Sequence, residues 1–317
     1  MSAGTVRSEL LRTRADRFSR ALRGLEQGDV RALHRARVAT RRLREILPVL
    51  CIGGVTVRKL IRRLKKATSR LGTVRELDAL VLLIDQLHES RGEHASALGR
   101  VAMTVAKLRD DARKRLFGHA SIRDLRRTAR KLHDLVDELA AEPEQPSKAM
   151  RWAIEARVAR RAERLASALR KAGAVYLPER LHMVRIAAKK LRYGVELVAE
   201  ITESDRAADV HVLRATQDVL GRMHDIQTLI DRVRQVQARL APPSVNGWRA
   251  LDALLQSLDD DCRRLHARYM RGRPKLEALV DRLRATDRAT AAVTAGPKTR
   301  AKRGAASLRE GPATRAG

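Results

Sequence analysis

HRARVATRRLR, at residues 34–44, separates cations from apolar side chains along one predicted helix. At 3.6 residues per turn, His34 and the cations three, seven and ten residues after it fall within an arc of about 80°. We call this set the first stripe: His34, Arg37, Arg41 and Arg44. Most apolar residues from Ala32 to Leu47 occupy the opposing arc. The pattern predicts a helix that packs on its apolar side and exposes the stripe on the other.

A second copy of this pattern lies in the other half of the chain. Residues 182–192, HMVRIAAKKLR, align with residues 34–44 without a gap. Downstream, LGRMHDIQTL at 220–229 aligns with LGTVRELDAL at 71–80. Self-similarity in the same order and at nearly the same offset predicts two copies of one structural unit. The second stripe, at matching angles on its helix, consists of His182, Arg185, Lys189 and Arg192.

Helical periodicity extends through most of the chain. Apolar residues recur at three- and four-residue spacing and alternating strand patterns are absent, which predicts an all-α fold. We count about twelve predicted helices. They are separated by breaks at glycines such as Gly72 and Gly221 and, between the two halves, by AEPEQP at 141–146. Pro178 is predicted to stand in the first turn of the helix that carries the second stripe.

The C-terminal segment has a different composition from the rest of the chain. Near Ala289 the apolar periodicity stops and gives way to small, polar and basic residues, which bury too little surface to order themselves. We therefore expect a disordered basic tail at residues 289–317. Most of the net charge of +30 nevertheless belongs to the predicted helices.

The charge balance indicates a partner that carries phosphate. Lys and Arg number 67 against 37 Asp and Glu. Arg predominates among these cations, and its planar guanidinium group binds phosphate oxygens in a bidentate manner. Aromatic residues make up only 2% of the chain, which is few for a protein that stacks on the bases of single-stranded nucleic acid. The composition therefore favours an anionic ligand without bases.

Each stripe has the length and charge expected of a site for a polymer. Its ends lie ten residues apart, or about 15 Å along the helix axis, which spans several successive phosphates. Its like charges repel one another and no acid lies within it, so an external anion is expected to neutralise it. The alternatives are a solvated basic face and, for His34 and His182, a capping or packing role between helices. An anion beside either histidine would raise its pKa and strengthen binding in acid.

The helix after each stripe carries further candidate contacts. They are Arg62, Arg63, Lys66 and Arg75 in the first half and Arg214 and Arg222 in the second half. The basic run around Arg62 cannot place all its cations on one helical face, so at least two of them are expected to be plain surface. Arg75 with Asp78, and His224 with Asp225 at the matching place, are either helix-terminus ion pairs or site residues. We favour a structural role for the two acids, because carboxylates would repel phosphate.

Other function classes find little support in the sequence. Cys51 and Cys262 lack the CxxC spacing of zinc and redox sites, and neither stripe histidine has a second metal ligand three or four residues away. No segment has the length and apolar character of a signal peptide or a membrane span. P-loop, HExxH and GxSxG motifs are absent. We therefore expect a cytoplasmic protein without membrane contact, cofactor, metal or catalytic residues, and not an enzyme.

The two copies resemble the CHAD family, the conserved-histidine α-helical domains. The first reads H-x-x-R-V-x-x-R-R-x-R with L-G-x-x-R-x-x-D, and the second H-x-x-R-x-x-x-K-K-x-R-Y with L-G-x-x-x-D. The resemblance covers about residues 5–285. It implies two pseudo-symmetric antiparallel helical bundles of about six helices each, at residues 5–140 and 148–285, which flank a basic central groove. It also implies that the groove binds inorganic polyphosphate, with association with polyphosphate granules as a further expectation.

Residues that match the family motifs are implied to contact the ligand. They are His34, Arg37, Arg41, Arg42 and Arg44 in the first half and His182, Arg185, Lys189, Lys190, Arg192 and Tyr193 in the second half. The chain departs from the motifs at Glu76, where Asp is more usual, and at Gln227, which aligns with Asp78. We therefore predict non-enzymatic binding of polyphosphate. The alternative is a protein that binds the phosphate backbone of nucleic acid without reading its sequence, which the basic tail would favour.

Overall fold

The computed structural model describes residues 4–27, 29, 31–50, 54–142, 147–240 and 245–294. The first half of the chain supplies five α-helices: α1 Gly4–Glu26, α2 Ala32–Ile46, α3 Val55–Ser90, α4 Ala95–Phe117 and α5 His119–Ala141. The second half supplies four: α6 Ser147–Ala172, α7 Pro178–Thr202, α8 Ala207–Gln237 and α9 Val245–Thr294. The described ranges contain no strand, and the predicted all-α class is confirmed.

The helices are longer than predicted, and their number in the described residues is nine rather than about twelve. Helix α3 runs through Gly72, α8 runs through Gly221, and α9 contains Pro274. A glycine inside a helix costs about 1 kcal/mol relative to alanine. Burial of the adjacent side chains of Leu71 and Leu220 offsets this cost through packing. The predicted count of about six helices in each half is therefore too high.

Helix α9 also extends beyond its predicted end. Its backbone is helical to Thr294, whereas the sequence predicts that the ordered part ends near residue 289. Alanine has the highest helix propensity, and lengthening an existing helix requires no new nucleation, which explains the extension. The rest of the predicted tail, 295–317, lies outside the described residues. The same holds for 143–146 of the predicted linker.

Most helices pack against their neighbours along the chain. In the first half, α1 contacts α2 and α5, α2 contacts α3, and α3 contacts α4. In the second half, α6 and α8 each contact both α7 and α9. Contacts between the halves run from α2 to α7, from α3 and α4 to α8, and from α4 to α9. The two helices that carry the stripes, α2 and α7, are therefore neighbours.

The apolar side of α2 belongs to a large core cluster that includes residues of both halves. As predicted, the buried apolar residues of α2, with Leu47 directly after it, are Ala32, Leu33, Ala36, Ala39, Leu43, Ile46 and Leu47. The polar Thr40 of α2 is also buried. Leu43 and its repeat counterpart Leu191 on α7 are both fully buried, and burying such a side chain contributes about 1.5–3 kcal/mol. Pro178 begins α7, as predicted. None of the helices in the described ranges has an apolar stretch that could cross a membrane.

Candidate anion-binding site

The two stripes meet where α2 packs against α7. Side chains of the first stripe lie close enough to those of the second for their charges to lower one another's pKa values. A further positive charge, from α3, acts on Arg37. We call this group the central cluster: Arg37, Arg41, Arg75, Arg185 and Lys189. The packing of α2 on α7 thus unites two separate stripes in one site that both halves build.

Positive charge is crowded in the central cluster. Burial, followed by the charges of neighbouring guanidinium groups, lowers the pKa of Lys189 to about 7. Burial and the adjacent charge of Arg41 lower the pKa of Arg37 to about 10. Burial also lowers the pKa of Arg185, although the charge of Asp225 opposes this effect. Cations that depress one another's pKa attract an anion, because a bound negative charge relieves their repulsion.

Arg37 lies against α3. Its Nε is buried and has no hydrogen-bond partner among the described residues. A Cβ added to Gly72 would stand 3.7 Å from this Nε, so the guanidinium group passes directly over α3 at that glycine. Leaving a buried donor unsatisfied costs about 1–3 kcal/mol. A bound oxyanion at this point would supply an acceptor.

Tyr193 connects the two stripes. Arg41 Nη1 donates a hydrogen bond to Tyr193 Oη at 3.1 Å. The guanidinium carbon of Arg192 lies 5.2 Å from the centroid of the Tyr193 ring, within the usual range of a cation–π contact. Tyr193 therefore holds an arginine from α2 and an arginine from α7 beside each other.

Three histidines border the central cluster. The rings of His182 and His224 lie 4.7 Å apart, centroid to centroid, at an interplanar angle of 44°. Burial, followed by the charge of Arg185, lowers the pKa of His224 to about 4 and also lowers that of His182. Burial and the charge of Arg75 lower the pKa of His34. The imidazoles are therefore mainly neutral at pH 7, and each can exchange hydrogen bonds with an anion.

The two acids for which a structural role is predicted have different surroundings. Asp78 accepts a hydrogen bond from Arg113 Nη2 of α4 at 2.9 Å, an ion pair within the first half. Asp225 lies beside the central cluster: burial raises its pKa, and the charge of Arg185 opposes that rise. The part of the chain that the structure describes has no group of three or more His, Cys, Asp or Glu side chains able to hold a metal ion.

Two ion pairs hold the halves in register around the site. Arg161 of α6, which is 7% exposed, pairs with Glu45 of α2. Its Nη1 also donates a hydrogen bond to the backbone oxygen of Lys190 on α7 at 2.7 Å. On α1, the buried Arg14 pairs with Glu200 of α7 at 2.5 Å. These contacts fix α2 relative to α7 and hence the first stripe relative to the second.

A family model described as CHAD domain matches residues 9–234, which is more than half of the chain. The chain belongs to the CHAD family. The match ends within α8, so α9 lies beyond it, although the sequence resemblance was traced to about residue 285. No curated protein matches the chain.

Two solved structures are similar to this CHAD chain. The structure of PptA from Streptomyces chartreusis has a TM-score of 0.61 and 19% sequence identity, and the match covers 86% of this chain and 99% of the other. The CHAD domain from the plant Ricinus communis has a TM-score of 0.53 and 20% identity, with coverage of 84% and 92%. At these identities the likeness concerns the fold.

Three of the predicted contacts of this CHAD chain are engaged with other residues. Arg192 and Arg214 both form ion pairs with Glu196, at 3.7 and 3.2 Å. Arg222 Nη1 donates a hydrogen bond across the halves to Gln86 Oε1 of α3 at 3.1 Å. Because Arg192 and Arg214 share one carboxylate, their positive charge is partly compensated within the protein.

The remaining predicted contacts lie apart from the central cluster. Lys190 lines a cavity between α6 and α7, because successive residues of a helix point about 100° apart. Arg42 is exposed and its charge acts on Arg14, while Arg44 is half-buried. Three further cations lie on α3 more than two turns before Arg75 and are exposed or half-exposed: Arg62, Arg63 and Lys66.

His224 is the neighbour of the central cluster that the predicted contacts leave out. Its ring contacts the ring of His182 in a tilted arrangement and lies close enough to Arg185 to be affected by its charge. The repeat contains a signal for it, because His224 aligns with Arg75 in the second pair of matching segments. Arg161 and Glu45 have no comparable signal, since they belong to different halves and to no shared motif.

Proposed function

We propose that this CHAD chain binds inorganic polyphosphate, without hydrolysing it, in the groove formed by the two stripes. The observation that carries the proposal is the meeting of the two stripes where α2 packs against α7, with Arg41 bonded to Tyr193. The same crowding of cations lowers the pKa of Lys189 to about 7. This low pKa means that the central cluster gathers more positive charge than the neighbouring acids neutralise. A chain of phosphates would neutralise it from both sides, with arginines of α2 and α7 as bidentate ligands.

The length of the stripes favours a polymer over a single phosphate. Each stripe is about 15 Å long, and Arg41 of the first stripe donates a hydrogen bond to Tyr193, which directly follows the second stripe. One phosphate is too small to satisfy cations spread over this length. The family resemblance implies polyphosphate as the ligand. This polymer has one negative charge at each phosphate and no bases that could stack. The scarcity of aromatic residues supports the same ligand.

The decisive experiment is a competition between long polyphosphate and DNA or RNA of matched charge, across a salt series. Polyphosphate should win at physiological salt, and the double variant Arg37→Glu/Arg41→Glu should lose this advantage. The control is Arg123→Glu/Arg127→Glu, which reverses two exposed arginines at the same spacing on α5 and should leave binding unchanged. Equal competition with the same salt slope would instead indicate a general binder of nucleic acid backbones.

Binding without hydrolysis is a separate part of the proposal. The purified chain, incubated with long polyphosphate and Mg²⁺, should release no orthophosphate above background. Release that disappears in Arg37→Glu/Arg41→Glu would make the groove an active site and would overturn this part while leaving the ligand assignment in place.

We also propose that the bound polymer places the chain on polyphosphate granules. In a cell that accumulates polyphosphate, a fluorescent fusion of the chain should concentrate on the granules. The same fusion carrying Arg37→Glu/Arg41→Glu should spread through the cytoplasm. Granule association that survives the reversal would show that another surface is responsible.

A further inference from the structure

A basic cavity lies between α7 and α6, on a different face of α7 from the second stripe. It encloses about 670 Å³, which is within the range of about 300–1,000 Å³ typical of sites for small molecules. Six cations line it: Arg161, Arg164, Arg170 and Lys171 of α6 and Arg180 and Lys190 of α7. Its apolar part includes Met183 and Ile186.

The cavity is separate from the polyphosphate groove. On the wheel of α7, the centre of the cavity-lining face stands about 140° from the centre of the second stripe. The buried Arg161 lines the cavity and also pairs with Glu45 of α2 and bonds to the backbone of Lys190, so it lies between the cavity and α2. A ligand in the cavity would therefore not touch the central cluster.

The two copies of the repeat differ at this cavity. Met183, 57% exposed, aligns with Arg35 of α2, which forms an ion pair with Asp29. Arg180, at the mouth of the cavity, aligns with the buried Ala32. At the first pair of positions, the second half thus has the exposed apolar Met183 where the first half has a neutralised arginine. At the second pair, it has the cation Arg180 where the first half has a buried core residue. This arrangement is not a by-product of the duplication.

The chemistry of the walls defines the class of ligand. Two of the six cations are neutralised, because Arg161 pairs with Glu45 and Arg170 with Glu163. The other four form no ion pair with a carboxylate among the described residues: Arg164, Lys171, Arg180 and Lys190. Arg180 Nη1 donates a hydrogen bond to the backbone oxygen of Lys171, which joins the two walls at one end. Unpaired cations attract phosphate, and the exposed Met183 offers a surface that bare phosphate cannot use.

We propose that this cavity binds a small phosphorylated organic molecule. Two or more phosphate groups of the ligand would lie against Arg164, Lys171, Arg180 and Lys190, and an apolar group of about the size of a nucleoside or a short isoprenoid would lie on Met183 and Ile186. The ligand needs both the phosphate groups and the apolar group, whereas the polyphosphate proposed for the groove has phosphate groups alone. The proposal does not depend on the function proposed for the groove.

The test is equilibrium dialysis of the full chain with ATP, farnesyl diphosphate and tripolyphosphate. At least one of the two organic ligands should bind about tenfold or more tightly than tripolyphosphate. Met183→Glu and the double variant Arg164→Glu/Lys190→Glu should each weaken its binding by about tenfold or more. Arg160→Glu, an exposed arginine of α6 that does not line the cavity, should leave it unchanged, and circular dichroism should show that every variant remains helical.

Three outcomes would overturn the proposal. Equal affinity for tripolyphosphate and both organic ligands would remove the role of the apolar wall. Loss of the organic ligand in Arg37→Glu/Arg41→Glu would place it in the groove, whereas retention there supports a separate cavity even if the groove does not bind polyphosphate. Binding to anionic phospholipid vesicles that Met183→Glu abolishes, with no binding of the soluble ligands, would make the cavity a membrane contact.

Discussion

The two halves of the site have the same plan and different cations. At two aligned positions the first half has an arginine where the second half has a group that titrates more easily. Arg41 aligns with Lys189, whose pKa is about 7, and Arg75 aligns with His224, whose pKa is about 4. The difference teaches that the duplication preserves where basic side chains are placed but not how their charge responds to pH. At these two positions the first half supplies permanent charge, and the second half supplies groups whose charge depends on pH.

The two halves form one site only while the ion pairs between them hold. Breaking one of these pairs should therefore have the largest effect on stability and binding. Glu45→Ala removes the carboxylate partner of Arg161, which is 7% exposed. Because an unpaired buried charge remains, we expect the free energy of unfolding to fall by about 3–5 kcal/mol, measured by urea denaturation. The affinity for polyphosphate should fall as well, since α2 loses its register with α7.

A matched control is the exposed pair between Glu26 and Arg126. The Arg126 side chain is 62% exposed, and solvent screens exposed ion pairs so that they add little to stability. Glu26→Ala should therefore change the stability far less than Glu45→Ala and should leave polyphosphate binding intact. A similarly small loss of stability in Glu45→Ala would show that Arg161 finds water or another partner. The packing of the two halves would then not depend on this ion pair.

Reversing one charge in each half tests whether both halves hold the same polymer. Arg37→Glu and Arg185→Glu should each reduce the affinity for long polyphosphate by about 10- to 100-fold, since one charged hydrogen-bonding contact contributes about 1.5–3 kcal/mol. Tripolyphosphate should lose less, because it spans fewer cations. Fluorescence anisotropy with labelled phosphate polymers of both lengths would measure the two losses of affinity. If Arg185→Glu left the affinity for long chains unchanged, the first half alone would be the site.

Above pH 7, the pH dependence of binding should belong to the second half. A bound phosphate raises the depressed pKa of Lys189, so binding at pH 8 should take up protons, and affinity should fall as the pH rises above about 7. The fall is at most about tenfold per pH unit for one proton. Calorimetry in buffers of different ionisation enthalpy would measure the uptake. Lys189→Arg should abolish it and Arg41→Lys should retain it; uptake that persists in Lys189→Arg would assign the proton to another group.

The same shift has a consequence for the unliganded fold. The pKa of Lys189 is lowered from 10.5 to about 7, so the unfolded chain binds more protons than the folded chain between these values. The stability of the unliganded chain should therefore rise with pH across this window, and Lys189→Met should weaken that rise. Thermal denaturation from pH 7 to pH 10 would show it. An unchanged slope in Lys189→Met would mean that Lys189 keeps its ordinary pKa.

Much of the site follows from local periodicity, and the rest depends on contacts that periodicity does not encode. The two stripes and the apolar side of α2 are predicted because helix geometry fixes which residues share a face. The ion pair between Glu45 and Arg161 is not predicted, since its partners lie 116 residues apart and neither position has a pattern that requires the other. The continuation of α3 through Gly72 is missed for a related reason, because tertiary packing outweighs a local propensity.

Gly72 and Gly221 offer the finest test of the comparison, because they occupy aligned positions of α3 and α8. An added Cβ would meet nothing within 4 Å at Gly221 but would stand 3.7 Å from Arg37 Nε at Gly72. Both changes to alanine should stabilise the fold by about 0.5–1 kcal/mol, since glycine costs that much in a helix interior. Gly221→Ala should leave the affinity for polyphosphate unchanged, whereas Gly72→Ala should lower it by about two- to threefold, a few tenths of a kcal/mol. Equal affinities in the two variants would mean that Arg37 moves away from α3 when the polymer binds.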